Sequence, residues 1–322
     1  MRSRPRQYAN KRGPRPGDGS VIRIESVLSR LWPWLQVARP SNFFFCAVPV
    51  MVGSALALRV GHYAAPRLIG LIGIGITISV AVRYLNDPPD SRRGIDRPGL
   101  LKSYHALSQG LNLRAVEVVG LAFLAVALVL CIWLSLAVDW RLLLLTALIG
   151  LGVVTYSGGP WPYSSHALGE VAQFIWFGPV AVVCVMYVLS NTVDATAWAA
   201  GVALGLLETP FQVANNTRDM ETDRIAGKIT LPQLLGRRRA DVLLTAMVLG
   251  AYALLPPLAF IAHSPYVLLP ALSLPLAVGV IRRFIRTTSA GEFPRFFPQL
   301  GRLNLAYGAL LAVGLWLPTL SR

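Results

Sequence analysis

The chain has 322 residues, of which 54% are hydrophobic and only 14% are charged. A soluble domain carries roughly a quarter charged residues, so this composition excludes an ordinary soluble protein. The formal net charge of +15 does not indicate nucleic-acid binding, because no long polar stretch could form a soluble binding domain. Basic loops between apolar segments instead indicate the positive-inside rule and a lipid bilayer with anionic headgroups.

The N-terminal residues 1–30 are rich in Arg, Pro and Gly, which predicts a disordered basic tail. Residues 31–322 are predicted to form one transmembrane domain. Apolar stretches of about 20 residues can cross a bilayer roughly 30 Å thick as helices. Nine are predicted, at residues 41–60, 67–86, 113–137, 141–157, 167–189, 194–214, 239–262, 265–286 and 302–320. The predicted fold class is therefore an all-α, multi-pass membrane protein.

The segments that join these spans are alternately rich and poor in Arg and Lys. A cytoplasmic N-terminus places residues 1–40, 87–112, 158–166, 215–238 and 287–301 in the cytoplasm, and the first, second and fourth of these segments are rich in Arg and Lys. The opposite side has little beyond Arg59, Arg67 and Arg141. The sequence thus predicts a cell-membrane protein whose N-terminus is cytoplasmic.

Two clusters of acidic and amide residues follow the second and sixth spans, and both face the cytoplasm in this topology. An Asp at the centre of a membrane helix costs about 2.5–3.5 kcal/mol, so acids beside apolar helices indicate function. In the second cluster, Asn216, Asp219 and Asp223 have the spacing of one helix face. In the first, Pro88 and Pro89 predict that the helix ends near Asp87, so that its carboxylates converge at a broken helix end.

Carboxylates that share a space repel one another unless a cation neutralises them. Hard oxygen ligands without His or Cys favour Mg²⁺, which typically keeps some waters and binds substrate phosphates. Arg218, Arg224 and Lys228 lie among the acids of the second cluster and could hold phosphate directly. The competing interpretation is that both clusters are solvated loops whose acids pair with nearby arginines.

The two clusters resemble the motifs of the UbiA superfamily of intramembrane prenyltransferases. The Asn-Asp-x-x-Asp motif falls on Asn86, Asp87 and Asp90, and the Asp-x-x-x-Asp motif falls on Asp219 and Asp223. The resemblance implies a nine-helix bundle with a cytoplasmic polar cap and an active site that faces the cytoplasm. It also implies that Mg²⁺ holds the diphosphate of a polyprenyl donor, whose departure leaves an allylic cation that an aromatic acceptor captures.

The segment from Asn215 to Leu231 is most similar to the branch that prenylates 1,4-dihydroxy-2-naphthoate in menaquinone biosynthesis. The segment from Tyr156 to Pro160 agrees with it. The chain departs from this branch at Pro88 and Pro89 and in the loop from Leu100 to Gly110. Another phenol or quinol precursor therefore stays open as the acceptor.

The resemblance also implies roles for individual residues. The metal ligands, which are also the predicted catalytic residues, are Asp87, Asp90, Asp219 and Asp223. The predicted substrate-binding residues are Asn86, Asn216, Tyr156, Ser157, Arg218, Lys228 and Arg83. Arg83 could instead be a snorkelling cation, and Asp96 either follows the first motif as in the branch or is a loop acid. Glu170 could line the cavity and Glu208 could contact the acceptor, or each could instead make a structural hydrogen bond.

Two other functions stay open. A UbiA-type membrane terpene cyclase would begin with the same ionisation and capture the cation internally, without an acceptor. A membrane transporter is the remote alternative, since transporters bind near the midplane through broken helices, whereas these acids cluster at one face.

Overall fold

A computed structural model describes residues 29–40, 43–61, 63–92 and 105–321. The predicted disordered tail lies almost wholly outside these residues, as does Asp96. Within the described part, the regular secondary structure is helical, which confirms the all-α prediction. The helices are α1 (Phe44–Arg59), α2 (Ala65–Arg92), α3 (Leu113–Val138), α4 (Leu142–Ser157), α5 (Gly169–Ile175), α6 (Ala181–Ser190), α7 (Ala195–Arg218), α8 (Met220–Ile225), α9 (Leu231–Leu235), α10 (Arg237–Ala253), α11 (Leu255–Ile261), α12 (Leu274–Arg286) and α13 (Phe293–Trp316). A further helix covers residues 29–38.

The nine predicted spans each overlap helix in the described chain, but the count of nine is not confirmed. Six helical segments are long and apolar enough to cross a membrane: Ala65–Arg92, Leu113–Val138, Gly169–Ser190, Arg237–Ile261, Pro265–Arg286 and Ala290–Leu320. The first and fourth predicted spans coincide with α1 and α4, which have 16 residues each. The sixth coincides with α7, whose C-terminal half contains the polar residues of the site.

The prediction that α2 ends near Asp87 is wrong, because the helix continues through Pro88 and Pro89 to Arg92. A proline inside a helix typically costs about 3 kcal/mol, since it removes a hydrogen bond and crowds the preceding turn. Close packing against α3 accompanies this departure. A Cβ added to Gly120 of α3 would lie 2.9 Å from the Cβ of Tyr84. The missing side chain thus lets the two helices approach at the turn that precedes the prolines.

A cluster of small residues sets the crossing between the α5–α6 segment and α7. The π-helical turn Trp176–Val180 joins α5 to α6 and places Gly178 against α7. A Cβ on Gly178 would lie 2.6 Å from both the carbonyl oxygen of Gly201 and the Cα of Gly205. Small residues at such crossings allow the backbones of membrane helices to approach closely.

The largest apolar core lies where α1, α7, α10 and α13 meet. Its buried side chains include Val48, Leu204, Leu244 and Leu300. Because α7 is packed on several sides by this core and by α5, its polar C-terminal half is held in a fixed position. The fold thereby presents the end of α7 beside the loops that follow it.

Candidate active site

The first motif lies in the last two turns of α2. Asp87 is buried, and its Oδ2 accepts a hydrogen bond from the backbone N–H of Ala106 at 3.0 Å. Its Oδ1 lies 3.8 Å from an Arg39 Nη2. The buried Oδ1 of Asn86 has no hydrogen-bond partner among the described residues. Because α2 stays helical, Asn86 and Asp90 are one turn apart on the same face.

The second motif crosses the junction between α7 and α8. The backbone N–H of Asp219 donates to Asn215 at 3.1 Å, and that of Asp223 donates to Asp219 at 2.8 Å. These are helical hydrogen bonds, so the chain direction is nearly continuous although α7 ends at Arg218. The expected alignment of Asn216, Asp219 and Asp223 is therefore largely preserved.

Basic residues of the second cluster pair with its acids. Arg218 donates two hydrogen bonds to Asp219, from Nε and Nη2, both at 2.8 Å. The same guanidinium lies over the ring of Phe297, 5.2 Å from its centroid. The pair is mostly buried, with 11% and 14% of the two side chains exposed. Arg218 is thus fixed in direction rather than freely solvated.

Lys228 brings the two motifs together. Its ammonium lies 3.6 Å from Asp223 Oδ2, and only 16% of its side chain is exposed. Burial acts to lower the pKa of Lys228, but the negative charges of Asp223, Asp90 and Asp219, together with Tyr156, outweigh burial and raise it. Asp90 belongs to the first motif, so one cation interacts with carboxylates from both.

Two loops hold Lys228 beside the end of α4. Gly227 has a φ of +71°, which a residue with a side chain adopts only at a cost, and it turns the chain after α8. The N–H of Ile229 then donates to the carbonyl of Ser165 at 3.1 Å, and the N–H of Ala167 donates back to Ile229 at 2.9 Å. This bridge ties the loop after α8 to the loop after α4.

A buried hydrogen-bond network supports the second motif. The Nδ2 of Asn216 donates to Glu170 Oε1 at 2.7 Å. The Nε2 of Gln212 lies 3.2 Å from Asn216 Oδ1 and 3.0 Å from the Tyr156 hydroxyl oxygen, and it donates to both. Ser157, which follows Tyr156 and was also predicted to bind substrate, is buried at the C-terminal end of α4.

Gln212 was not among the residues singled out from the sequence. Its position one turn before Asn216 on the same helix face is the signal that could have found it.

Arg83 lies one turn before Asp87 and interacts electrostatically with Cys46 inside the bundle. Among the described residues, no three or more His, Cys, Asp or Glu side chains are grouped closely enough to hold a metal ion.

Apolar helices surrounding carboxylates, amides and cations define a multi-pass membrane protein with a polar site at one end of the bundle. Residues 46–313 match the UbiA prenyltransferase family, and the chain belongs to that family. It is therefore a prenyltransferase enzyme.

Curated relatives cover most of the chain. A 1,4-dihydroxy-2-naphthoate octaprenyltransferase of Bacillus subtilis is 26% identical over 303 residues, which is 93% of this chain and 96% of the relative. One from Mycobacterium tuberculosis is 32% identical over 250 residues, 76% of this chain and 83% of the relative. Among solved structures, a UbiA homologue from Archaeoglobus fulgidus bound to GPP and Mg²⁺ aligns with a TM-score of 0.60. That alignment covers 87% of this chain and 100% of the homologue at 18% identity, which supports the fold.

Proposed function

We propose that the protein transfers a polyprenyl group from a polyprenyl diphosphate to 1,4-dihydroxy-2-naphthoate or a related phenol or quinol precursor. The observation that carries this proposal is the position of Lys228, which interacts with Asp90 of one motif and Asp223 of the other. A largely buried cation between two sets of carboxylates is suited to a ligand that is itself a polyanion with bound metal. The names of the Bacillus and Mycobacterium relatives support the naphthoate acceptor.

The donor set fits Mg²⁺ in its chemistry. Asp87, Asp90, Asp219 and Asp223 supply only hard oxygen ligands, and Asn86 contributes a buried carbonyl oxygen without a hydrogen-bond partner among the described residues. The homologue from Archaeoglobus, which is described as bound to GPP and Mg²⁺, supports the same assignment. Mg²⁺ bound by these carboxylates would offset the charge that develops on the departing diphosphate.

The residues of this chain have separate tasks in the proposed reaction. Lys228 and Arg218 hold oxygens of the diphosphate, and both are already oriented by neighbouring acids. Because Gln212 donates a hydrogen bond to the Tyr156 oxygen, the Tyr156 hydroxyl can direct its own proton toward the diphosphate. These donors stabilise the leaving group more strongly as its charge grows, which is the requirement for catalysis.

The bond changes follow from this arrangement. The C1–O bond of the allylic diphosphate breaks, and its electron pair stays on the diphosphate. A ring carbon of the acceptor then forms a bond with the allylic carbon, and the ring loses a proton or its carboxyl group to restore aromaticity. The surrounding apolar helices exclude water, which would otherwise trap the cation as an alcohol.

The proposed topology has nine membrane spans, a cytoplasmic N-terminus and an active site that opens to the cytoplasm. It rests on the positive-inside pattern of the loops. With Lys228 and Arg218 at the cytoplasmic face, the charged diphosphate of the donor can bind there while its isoprenoid chain lies in the bilayer.

Mass spectrometry of purified protein with polyprenyl diphosphate and Mg²⁺, with and without 1,4-dihydroxy-2-naphthoate, tests the proposal. The expected product joins both substrates and forms only when the acceptor is present. A cyclic hydrocarbon formed without acceptor would show a terpene cyclase instead. Consumption of neither substrate, in protein verified as folded, would overturn the assignment altogether.

A further inference from the structure

Two helices present matching polar faces to the inside of the bundle. Polar residues recur on α2 and on α7 at spacings of four, four and three, so each set lies along one face of its helix. The first set is Ser79, Arg83, Asp87 and Asp90 on α2, and the second is Glu208, Gln212 and Asn216 on α7 with Asp219 at its C-cap. Only the ends of these faces near Asp90 and Asp219 belong to the proposed diphosphate site.

The inner ends of the two faces also approach one another. The Sγ of Cys46 on α1 lies 2.9 Å from the Oγ of Ser79 on α2. The same thiol interacts electrostatically with Glu208 on α7 and with Arg83 on α2. Polar groups from three helices therefore converge at a level deeper than the diphosphate motifs. Glu208 precedes Asn216 by eight positions, which corresponds to a rise of about 12 Å along the helix.

Glu208 is the least satisfied polar group at this level. Its side chain is fully buried, and neither of its carboxyl oxygens has a hydrogen-bond partner among the described residues. Its helix neighbours Leu204, Leu207 and Phe211 belong to the apolar core. Leaving a buried carboxyl without a partner is costly, and an aliphatic side chain would avoid that cost. The position therefore indicates a ligand that supplies hydrogen-bond donors.

The carboxyl group of Glu208 favours one of the possible ligands, because these differ in charge and in hydrogen-bond donors. An isoprenoid chain has no hydrogen-bond donor, and an anionic diphosphate would be repelled by an ionised carboxylate. A hydroxyaromatic ring fits better, since its hydroxyl donates to a carboxyl oxygen, its apolar faces fit the surrounding core, and a carboxylate on another ring position can point away from Glu208.

We propose that Glu208 binds the aromatic acceptor by accepting a hydrogen bond from a ring hydroxyl, and that this contact places the ring on the inner side of the diphosphate site. The assignment rests on the proposed function. It makes Glu208 a specificity-determining residue that requires an acceptor with a hydroxyl group at the ring edge facing α7.

Kinetics of Glu208→Leu and Glu208→Gln test the assignment. With 1,4-dihydroxy-2-naphthoate, the acceptor KM should rise about 10- to 100-fold in Glu208→Leu and less in Glu208→Gln, which keeps a neutral acceptor oxygen. The KM of the polyprenyl diphosphate should stay within about twofold. Thr209→Val is the matched control, because Thr209 is fully buried on the same helix and already bonds to the carbonyl of Gly205 at 2.7 Å.

A second ligand separates lost recognition from general damage. The 1,4-dimethyl ether of the naphthoate cannot donate a hydrogen bond, so the wild type should bind it more weakly as a competitive inhibitor. Glu208→Leu should lose that discrimination, whereas Thr209→Val should keep it. An unchanged acceptor KM and unchanged discrimination in both Glu208 variants would overturn the proposal. If Glu208→Leu fails to fold, Glu208→Met, which also removes both acceptor oxygens, decides by the same two measurements.

The outcome is distinguishable from failure of the proposed function. If wild-type protein forms no prenylated product from any hydroxyaromatic acceptor, then the transferase assignment is at fault and the Glu208 assignment falls with it. If the wild type is active and the Glu208 variants match it, then only the Glu208 assignment is wrong.

Discussion

The side-chain amide of Asn216 donates a hydrogen bond of 2.7 Å to Glu170, a residue 46 positions earlier in the chain. This contact fixes which way the amide points, since its nitrogen is turned toward Glu170 and its oxygen toward Gln212. An Asn at the second motif thereby presents a defined oxygen instead of rotating freely. Asn216 lies one helical turn before Asp219, so its orientation should affect the proposed Mg²⁺ and diphosphate site, since hydrogen bonds from neighbouring residues are a general way to tune metal sites.

Replacement of Glu170 by Leu should weaken the use of Mg²⁺. Loss of one hydrogen bond worth about 0.5–1.5 kcal/mol allows the Asn216 amide to rotate, which corresponds to roughly a 3- to 10-fold loss in kcat/KM. The Mg²⁺ concentration for half-maximal rate should rise in parallel. Glu170→Gln keeps an acceptor oxygen and should restore most of the activity. An unchanged Mg²⁺ dependence in Glu170→Leu would limit this residue to a packing role.

Replacement of Lys228 by Met should reduce both turnover and stability. Hydrogen bonds to charged groups contribute about 1.5–3 kcal/mol, so kcat/KM for the diphosphate donor should fall about 10- to 100-fold. Thermal unfolding in detergent should also occur at a lower temperature, because Asp223 is left buried with its ion-pair partner removed.

Two variants accompany Lys228→Met. Lys228→Arg keeps the charge and should retain more activity than the Met variant. Arg238→Met removes a cation from an exposed position on α10 and should leave donor kinetics unchanged. Equal losses in Lys228→Met and Arg238→Met would indicate a nonspecific effect of net charge.

Replacement of Gly178 by Ala should destabilise the bundle. The added methyl group would lie 2.6 Å from the backbone of α7, so the two helices must separate. Overpacking of this kind typically costs about 1–3 kcal/mol. Gly279→Ala is the matched control, since nothing lies within 4 Å of a Cβ at that position on α12. Thermal unfolding temperatures in the same detergent should fall only for Gly178→Ala.

The long apolar stretches of the sequence predicted where the membrane helices lie, because each stretch is apolar along its own length. The prediction failed at Pro88 and Pro89, where local propensity favours a helix end. The continuation to Arg92 accompanies close packing near Gly120 on another helix. Such tertiary contacts are not encoded in the local pattern.

The sequence singles out the carboxylates of the candidate site more readily than the residues that hold its side chains in place. Asp219 and Asp223 are recognisable as candidates because charged residues are rare in this chain. The pairing of Asn216 with Glu170 and the contact between Gln212 and Tyr156 join residues 46 and 56 positions apart. Amides have no comparable signal in an apolar helix until the fold shows what they face.

A double-mutant cycle on donor binding tests most directly whether the two motifs form one site. Asp90 and Asp219 are suitable positions, because they belong to different motifs and both interact electrostatically with Lys228. The measurement is equilibrium binding of a non-ionising thiolodiphosphate analogue of the donor, with and without Mg²⁺, to the wild type, Asp90→Asn, Asp219→Asn and the double variant. Asp241→Asn serves as control, since Asp241 pairs with Arg237 on α10.

One shared site predicts that each single variant loses most of the Mg²⁺-dependent affinity and that the double variant is little worse than either. Strictly additive losses, or full Mg²⁺-dependent binding in one single variant, would contradict it.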